Sequence, residues 1–479
     1  MARTIALINY PGCYFKGFAD ALKEQGFNLV WVCINHSDAV YMTHEMSIPE
    51  SQVLDVNLGF SPLSDDFDLE ECRKNLSSLE TEDGPRIFDI IQMDRMLRTK
   101  STPFSLQYIN HCAQAMRSFF CKHKVSLISS GRDSALQLTS MLVGRQLNIA
   151  WVVPTRLRIP RDTYGFCTNH ETNTFIQLKD ANPGKDREWA IEVLAKFDDP
   201  SQKPALKIAA QSFKDVLKLR NSHFMAFKKL YKRSLLDKGN DFSRYTIPKI
   251  IKMYVDRRIN MLMFNIYKPW KKTGSGPFCI YALHTQPESS IDVAGSYFSD
   301  QLGLIQFIAR SLPITHELYV KIHPTDIDGK NLKFYRAIQS IPGVRLIHND
   351  LDSGTLINRC DIIFALTGTI GFEGGLMGKR VITFANNYYN ELPTVHYCEA
   401  PPKLPMLINS ILNKPAPNHE AIRENILRFL SIYRSRVFDG EVNRMFGANP
   451  SALLDTDNQT LKIAYETLFK KLVGQQSET

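Results

Sequence analysis

The sequence predicts an α/β fold: two Rossmann-like domains that face a central cleft, with a helical connector between them and helices at the C-terminal end. Three observations support this prediction. The chain has 479 residues, which is too long for one ordinary core. Short β-type runs alternate with helical patterns in both halves, as in parallel sheets. Between the halves, residues 271–277 (Lys-Lys-Thr-Gly-Ser-Gly-Pro) have the composition of a linker.

The N-terminal half opens as a βαβ unit. We expect a strand at residues 4–8, an amphipathic helix at 15–25 that stops at Gly26, and a second strand at 28–33. The Gly-x-Gly-x-x-Gly fingerprint of dinucleotide-binding domains is missing from this stretch, so the sequence leaves the ligand of the domain open. Residues 38–84 are irregular and polar, and we expect them to form an insertion or lid outside the core.

The remainder of this half continues the alternation of helix and strand. Helices are expected at 86–98, 104–122 and 134–147, and strands at 125–129 and 149–153. The turn that enters the third of these helices contains Ser130, Gly131 and Arg132. Its exposed amides could hold an anionic or hydroxyl-rich group, or the turn could simply cap the helix. These three residues are therefore candidates for the acceptor side of a site. The arginines at 156, 158 and 161 could bind a phosphate or carboxylate, or could belong to a surface loop.

The second half repeats strand and helix with short connections. Strands are expected near Cys279, Leu318, Val344, Ile362 and Val381, and helices at 297–311, 332–340, 419–438 and 460–473. The predicted domains are an N-terminal Rossmann-like domain (1–203), a basic helical connector (204–276), a C-terminal Rossmann-like domain (277–440) and helices that cross back (441–479). The connector contains two or three helices in this prediction.

Composition and charge limit the location and the partners. The chain is 44% hydrophobic and 22% charged, as expected for a globular protein, and it has no apolar run approaching the roughly 20 residues of a membrane span. The first apolar run is too short for a signal peptide, and the nine cysteines form no Cys-x-x-Cys pair, so we expect a cytoplasmic protein. The net charge of +9 is concentrated between residues 203 and 272. That region is either a solvated helical face or a surface for peripheral contact with an anionic membrane at the inner face of the cell. No nucleic-acid module is recognisable.

Three polar turns follow predicted strands of the second half. They are residues 283–288 (Leu-His-Thr-Gln-Pro-Glu), 321–324 (Lys-Ile-His-Pro) and 367–373 (Thr-Gly-Thr-Ile-Gly-Phe-Glu). Ligands of open α/β sheets bind in the crevice at the carboxyl ends of the strands. We therefore expect these three turns to meet at one place.

With residues 378–384 (Gly-Lys-Arg-Val-Ile-Thr-Phe), the three turns resemble the capsular polysaccharide biosynthesis family, which includes the Kdo transferases of capsule and lipopolysaccharide assembly. The likeness extends over residues 278–387 and is limited to general layout in the N-terminal half. It implies the glycosyltransferase B (GT-B) fold and transfer of a sugar from a nucleotide donor, CMP-Kdo or a UDP-sugar, to a saccharide or lipid-linked glycan. Family members often have an acidic residue where this chain has Ile322, and alanine where it has Gly374.

The resemblance implies roles for the residues of these turns. His323 would contact the nucleotide phosphate, beside Lys321 and Pro324. The phosphate would also be cradled by Thr367, Gly368 and Thr369 at a helix start, and Glu373 would bind the ribose hydroxyls. His284 and Gln286 would orient the sugar. The carboxylate near the anomeric carbon, a nucleophile or a base, is either Glu288, which the motif favours, or Asp292. Each of these residues could instead be an ordinary turn or cap residue. No metal cluster is visible, and we expect no cofactor besides the donor as co-substrate.

Other activities fit the same pattern. A CDP-alditol phosphotransferase of the teichoic-acid-polymerase type shares a His-Pro element on a similar fold and would form a phosphate-linked product. A sugar-nucleotide epimerase would change the stereochemistry of the sugar without an acceptor. A non-catalytic polysaccharide assembly protein would bind nucleotide without turnover.

Overall fold

The computed structural model describes residues 3–9, 19–62, 67–160, 162–171, 174–199, 246–267, 274–323, 329–348, 351–415, 418–440 and 455–474. Several sequence predictions lie outside the described residues. They concern the start of the first helix (15–18), Arg161, most of the connector (204–245), the first linker residues (271–273) and Pro324.

In the part of the chain that the structure describes, thirteen strands build two separate sheets. The strands of the N-terminal half are β1 (Thr4–Ile8), β2 (Asn28–Cys33), β3 (Val53–Asp55), β4 (Leu127–Ser129), β5 (Ala150–Arg156) and β6 (Thr163–Cys167). Those of the C-terminal half are β7 (Phe278–Ala282), β8 (Glu317–Lys321), β9 (Val344–Ile347), β10 (Ile362–Ala365), β11 (Arg380–Thr383) and β12 (Val395–Tyr397), and β13 (Phe438–Asp439) follows them.

Both sheets have a Rossmann-like centre. The first sheet has the order β13-β6-β5-β4-β1-β2-β3 and the second the order β12-β11-β10-β7-β8-β9. Every pair in the second sheet is parallel. In the first sheet only the pairs β5–β6 and β6–β13 are antiparallel. The central strands are buried along their whole length because helices cover both faces, which is why they are continuous apolar runs. The predicted α/β fold with two Rossmann-like domains is confirmed.

Fifteen α-helices cover the two sheets among the described residues. Those of the first half are α1 (His36–Val40), α2 (Leu69–Ser77), α3 (Ile87–Met93), α4 (Thr102–His123), α5 (Ala135–Gln146) and α6 (Pro183–Asp198). They are followed by α7 (Ile247–Tyr267), α8 (Ser289–Asp292), α9 (Gln301–Ser311), α10 (Leu332–Gln339), α11 (Ser353–Arg359), α12 (Thr369–Leu376), α13 (Leu404–Leu412), α14 (His419–Arg434) and α15 (Asp455–Leu472). No described helix is long and apolar enough to cross a membrane.

The prediction that residues 38–84 lie outside the core is wrong. Strand β3 extends the parallel sheet beside β2, pairing Leu54 with Val32. Helix α2 packs on α4, and Val56, Leu76 and Leu79 are buried. Polar residues interrupt this stretch because its elements are short and β3 lies at the sheet edge, where its residues are only half-buried.

Three predicted helices are interrupted or end early. The helix expected at 86–98 ends at Met93, because the Asp94 side chain accepts hydrogen bonds from the amides of Met96 and Leu97 and a 3-10 turn follows at Leu97–Thr99. The helix expected at 297–311 is a 3-10 turn at Ser296–Phe298 and then α9, because Asp300 accepts hydrogen bonds from the amides of Leu302 and Gly303 and so begins a new helix. The helix expected at 419–438 ends at Arg434, and Phe438 instead pairs with Tyr164 in the first sheet. Strands β3, β6, β12 and β13 were not predicted.

The C-terminal segment returns to the first half. Helix α14 packs along α6, where exposed ion pairs join Arg187 to Glu424 at 2.7 Å and Arg423 to Asp198 at 2.9 Å. Beyond it, the Tyr465 hydroxyl of α15 lies 2.8 Å from the Ser129 hydroxyl at the end of β4. The two halves therefore share one packed interface, and the limits predicted for the four domains remain predictions.

Candidate functional site

The three motif turns lie at the topological switch point of the second sheet. Strands β8 and β9 lie on one side of β7, and β10, β11 and β12 lie on the other, so the strand order reverses between β7 and β10. The turns that contain His284 and Gly368 leave the carboxyl ends of these two strands, and His323 follows the neighbouring β8. This is the position at which open α/β sheets bind ligands.

Short contacts join the three turns. A Cβ atom added to Gly368 would lie 3.0 Å from Cε1 of the His284 ring, so the imidazole lies directly against this glycine. The Thr285 hydroxyl lies 3.3 Å from Nδ1 of His323. The Thr367 hydroxyl donates to the Ser290 carbonyl at 2.9 Å. The expectation that these turns meet therefore agrees with the structure.

Burial favours the neutral form of both site histidines. Burial, with a contribution from nearby His323, lowers the pKa of His284 to about 3. The pKa of His323 is also lowered, first by burial and then by the charge of Lys321. When Nδ1 of neutral His323 accepts a hydrogen bond from the Thr285 hydroxyl, the ring proton is on Nε2. Nε2 can then donate a hydrogen bond to a phosphate oxygen. The Lys321 ammonium group is itself buried and donates to the Leu351 carbonyl at 2.7 Å.

The turn after β7 is held together by its own polar side chains. Both oxygens of Asp292 accept hydrogen bonds, one from the Glu288 amide at 3.1 Å and one from Nε2 of Gln286 at 3.2 Å. Gln286 also donates to the Ser299 carbonyl at 2.8 Å. Asp292 and Gln286 are therefore engaged within the segment, whereas Glu288 is half-buried at the start of α8.

A residue outside the motifs fixes the same turn. Gln301, the first residue of α9, is 2% exposed. Its side-chain oxygen accepts from the His284 amide at 2.8 Å, and its side-chain nitrogen donates to the His284 carbonyl at 3.0 Å and to Oε1 of Gln286 at 2.8 Å. Sequence analysis missed Gln301 because it lies 15 residues beyond Gln286 and opens a helix, where a polar residue is ordinary.

Helix α12 begins in the site. Its N-cap is Gly368, and no side-chain hydrogen bond caps this end. The first amides of any helix have no intrahelical acceptor, and the helix dipole makes this end positive. The backbone around it is fixed because Tyr389 donates to the Gly368 carbonyl at 3.1 Å and Asn387 donates to the Leu366 carbonyl at 2.7 Å. Thr369 is the first residue of the helix.

Glu373 lies about one turn further along this helix. It is half-buried, and its charge, after the larger effect of burial, raises the pKa of nearby Tyr388. Tyr388 stacks on Phe175 of the first half. Glu373, which is close to Tyr388, therefore lies beside the contact between the two halves of the protein.

The acceptor-side candidates lie at the carboxyl end of β4, in a tightly packed turn. Ser130 and Arg132 are buried, and Arg132 donates to the His170 carbonyl at 3.1 Å. A Cβ atom at Gly131 would lie 2.5 Å from the side chain of Gln137, so no larger residue fits without a shift.

Two further residues, not predicted from sequence, connect this region to the motif turns. Asp94 accepts from the Ala135 amide at the start of α5 at 2.7 Å. The guanidinium of Arg95, the next residue, donates a hydrogen bond to the Pro287 carbonyl in the other half of the protein at 3.2 Å. The start of α5 and the Gln286–Glu288 segment are thereby linked through neighbouring residues. Among the described residues, no group of three or more His, Cys, Asp or Glu side chains could hold a metal ion.

Solved structures give weak matches. Two are of Thermosulfurimonas dismutans KpsC: the beta Kdo 2,4 transferase is 15% identical over 66% of this chain and 81% of its own, with a TM-score of 0.32, and the beta Kdo 2,7 transferase is 12% identical over 76% and 90%, with a TM-score of 0.34. UDP-GlcNAc 2-epimerase from Neisseria meningitidis is 11% identical over 98% and 99%, with a TM-score of 0.29. Matches at this level carry no argument about activity, and no curated protein matches the sequence.

A family model gives the more specific result. The model described as "Capsule polysaccharide biosynthesis protein" matches residues 226–392, which contain all four motifs. The resemblance carried by those motifs is thereby confirmed: residues 226–392 match the capsule polysaccharide biosynthesis family.

Proposed function

We propose that the protein is a glycosyltransferase of capsule or surface polysaccharide synthesis that transfers a sugar from a nucleotide donor. The observation that supports this most directly is the meeting of His284, His323 and Gly368 at the switch point of the second sheet. A nucleotide phosphate placed there would face the start of α12 and the imidazole of His323. The family match over the same residues points to a polysaccharide pathway.

The chemistry of the leaving group fits these residues. Transfer builds negative charge on the departing phosphate, and fixed dipoles aimed at that charge lower the barrier. In this proposal the amides of Gly368 and Thr369 and Nε2 of His323 supply those dipoles without a metal ion. Lys321 adds a buried positive charge close to His323.

We propose Glu288 as the carboxylate that acts at the anomeric carbon or on the acceptor hydroxyl. Asp292 is a poorer choice because two protein donors already occupy its oxygens. Asp292 and Gln286 would instead hold Glu288 in place, and Glu373 would bind the ribose. The acceptor, a saccharide or lipid-linked glycan, would approach from the side of Ser130 and Arg132, near the link between Arg95 and Pro287.

We propose CMP-Kdo as the donor and the inner surface of an anionic membrane as the working location. The donor follows from the Kdo transferases that the motifs resemble. The location follows from the basic region at 203–272.

A panel of nucleotides tests the donor site. A ligand that binds only the folded state raises its stability, by about 2.7 kcal/mol at a concentration 100-fold above the dissociation constant. We expect cytidine nucleotides to raise the melting temperature more than uridine nucleotides, and His323→Asn to remove that shift. His316→Asn is the matched control, because His316 follows a different loop and pairs with Asp361 at 3.5 Å. No stabilisation by any nucleotide would refute the proposal.

The proposed role of Glu288 predicts that its substitution abolishes transfer without destabilising the protein. Glu288→Gln keeps the size of the side chain and removes its charge, so we expect transfer to be abolished while the melting temperature and nucleotide binding stay close to wild type. Asp292→Asn should chiefly lower the melting temperature, since it weakens the two hydrogen bonds that shape the turn. Near-normal turnover of the Glu288→Gln variant would remove Glu288 from the catalytic residues.

A further inference from the structure

Helix α7 carries an apolar stripe on its exposed side. Ile251, Val255, Ile259 and Met263 are 49%, 47%, 51% and 37% exposed. They follow one another at intervals of four residues, and each interval turns the helix by about 40° beyond a full turn. The four side chains therefore form one continuous band, whose width is about a third of the helix circumference.

The opposite side of the helix packs against the protein. Phe264 is 3% exposed, and its ring centroid lies 5.5 Å from those of Tyr335 and His348. Residue 264 is about 160° around the helix from the middle of the stripe, by the same geometry. The stripe thus faces away from the second domain while the helix is held on it.

Positive charges border the stripe. By helical position, Arg258 lies at one edge of the stripe, Lys249 and Asp256 lie at the other, and Lys252 lies within its width, so three cations face one carboxylate. The guanidinium of Arg258 lies 4.9 Å from the ring centroid of Tyr254. Residues 203–267 contain fifteen Lys or Arg against four Asp and no Glu, so the sequence around this helix is strongly positive.

We propose that the exposed side of α7 docks on an anionic membrane surface, with the stripe in the headgroup region and the cations on the lipid phosphates. Apolar side chains bordered by Lys and Arg are the pattern of helices that lie in the membrane interface. The charge selects an anionic lipid surface over a neutral one, because each basic side chain near such a surface adds electrostatic attraction.

This inference rests on the membrane location given in the proposed function and names the surface responsible. The test needs no nucleotide or sugar. A negative result in the membrane-binding test would not contradict the transferase proposal. Loss of nucleotide binding would not contradict the membrane inference.

The experiment is sedimentation of the full-length protein with phosphatidylcholine vesicles, with and without phosphatidylserine. We expect binding only when phosphatidylserine is present. Ile251→Gln combined with Ile259→Gln should weaken that binding at least about tenfold, because it removes apolar area that the bilayer would bury. Lys249→Gln combined with Lys252→Gln should weaken it about tenfold and reduce its salt dependence.

The matched control is Ile463→Gln, an isoleucine that is 60% exposed on α15. Glutamine is at least as good a helix former as isoleucine, so all three variants should keep the wild-type melting temperature. Wild-type protein that stays in the supernatant, or a stripe variant that binds like wild type, would overturn the proposal. Self-association without lipid that the stripe variant abolishes would also overturn it, because the stripe would then bind a second copy of the chain.

Discussion

Gln301 is the single residue on which the geometry of the site depends most. Its amide satisfies both backbone groups of His284 and one oxygen of Gln286 from a buried position. Gln301→Leu leaves the His284 amide and carbonyl without this partner, so we expect a loss of about 2–4 kcal/mol in the free energy of unfolding. Urea denaturation measures that loss, and calorimetry should show weaker nucleotide binding in the variant that still folds.

Two substitutions test whether Gln301 positions His284 through hydrogen bonds or only fills space in the core. Gln301→Glu keeps the shape and the acceptor for the His284 amide but cannot donate to the His284 carbonyl, so it should fall between wild type and Gln301→Leu in nucleotide affinity. Gln306→Leu, at an exposed glutamine of the same helix, should change neither quantity. Equal nucleotide affinity in all three variants and wild type would contradict a positioning role.

His284 makes a specific contribution to the pH dependence of stability. Its pKa is lowered to about 3 in the folded protein, while an unfolded chain titrates near 6.5. The unfolded state therefore binds more protons between these values, and stability falls as the pH falls through that window. The slope should reach about 1.4 kcal/mol per pH unit for this group.

The measurement is the free energy of unfolding from urea titrations between about pH 6 and about pH 4. Other histidines with lowered pKa values, such as His323 and His396, contribute to the wild-type slope. The informative quantity is therefore the difference from His284→Gln, whose slope should be shallower. Parallel pH profiles for the two proteins would show that His284 is protonated in the folded state.

At the scale of the element, helix α12 depends on a close approach to β10. A Cβ atom at Gly374 would lie 2.2 Å from Cδ1 of Ile363, a residue with no exposed surface. This contact explains why glycine occupies the position. We expect Gly374→Ala to destabilise the protein by about 1–3 kcal/mol, even though alanine favours a helix.

A compensating change in the strand should reverse that effect. Ile363→Val removes the clashing Cδ1 and alone should cost about 0.5–1.5 kcal/mol. The double variant should be more stable than the sum of the single effects predicts, as measured by urea denaturation of all four proteins. Strictly additive changes in the free energy of unfolding would show that the Ile363 side chain rotates away in the Gly374→Ala variant and that the contact does not affect stability.

The sequence predicted elements well where the local pattern alone decides them. All five strands predicted in the second half are present, because buried parallel strands are unbroken apolar runs. The stretch 38–84 was misjudged because β3 has only three residues and is specified by its pairing with β2 rather than by its own pattern. The early end of α14 and the strand at Phe438 likewise depend on β6, which lies far away in sequence.

At the scale of the whole molecule, an aromatic cluster joins the two halves. Phe175 is 2% exposed, stacks on Tyr388 with ring centroids 5.7 Å apart and contacts Tyr433 at the same distance. We expect Phe175→Ala to cost about 3–5 kcal/mol, because the cavity would lie between elements that cannot easily close it. Phe88→Ala, at a phenylalanine that is 58% exposed, should change stability by no more than about 0.5 kcal/mol.

Thermal and urea unfolding of both variants test this difference. A Phe175→Ala protein with wild-type stability would show that the halves are held by other contacts, such as the packing of α14 on α6.

The sequence by itself determined the two-sheet α/β architecture and the three polar turns of the candidate site, because strand periodicity and turn residues are local properties of the chain. Only the tertiary structure decided that the His284 ring rests on Gly368, that Gln301 holds the turn, and that Arg95 reaches Pro287 from the other half. Those contacts join residues between 17 and 192 positions apart. No local pattern specifies which distant partner a polar side chain will meet, because that choice follows from how the strands are ordered in the sheets.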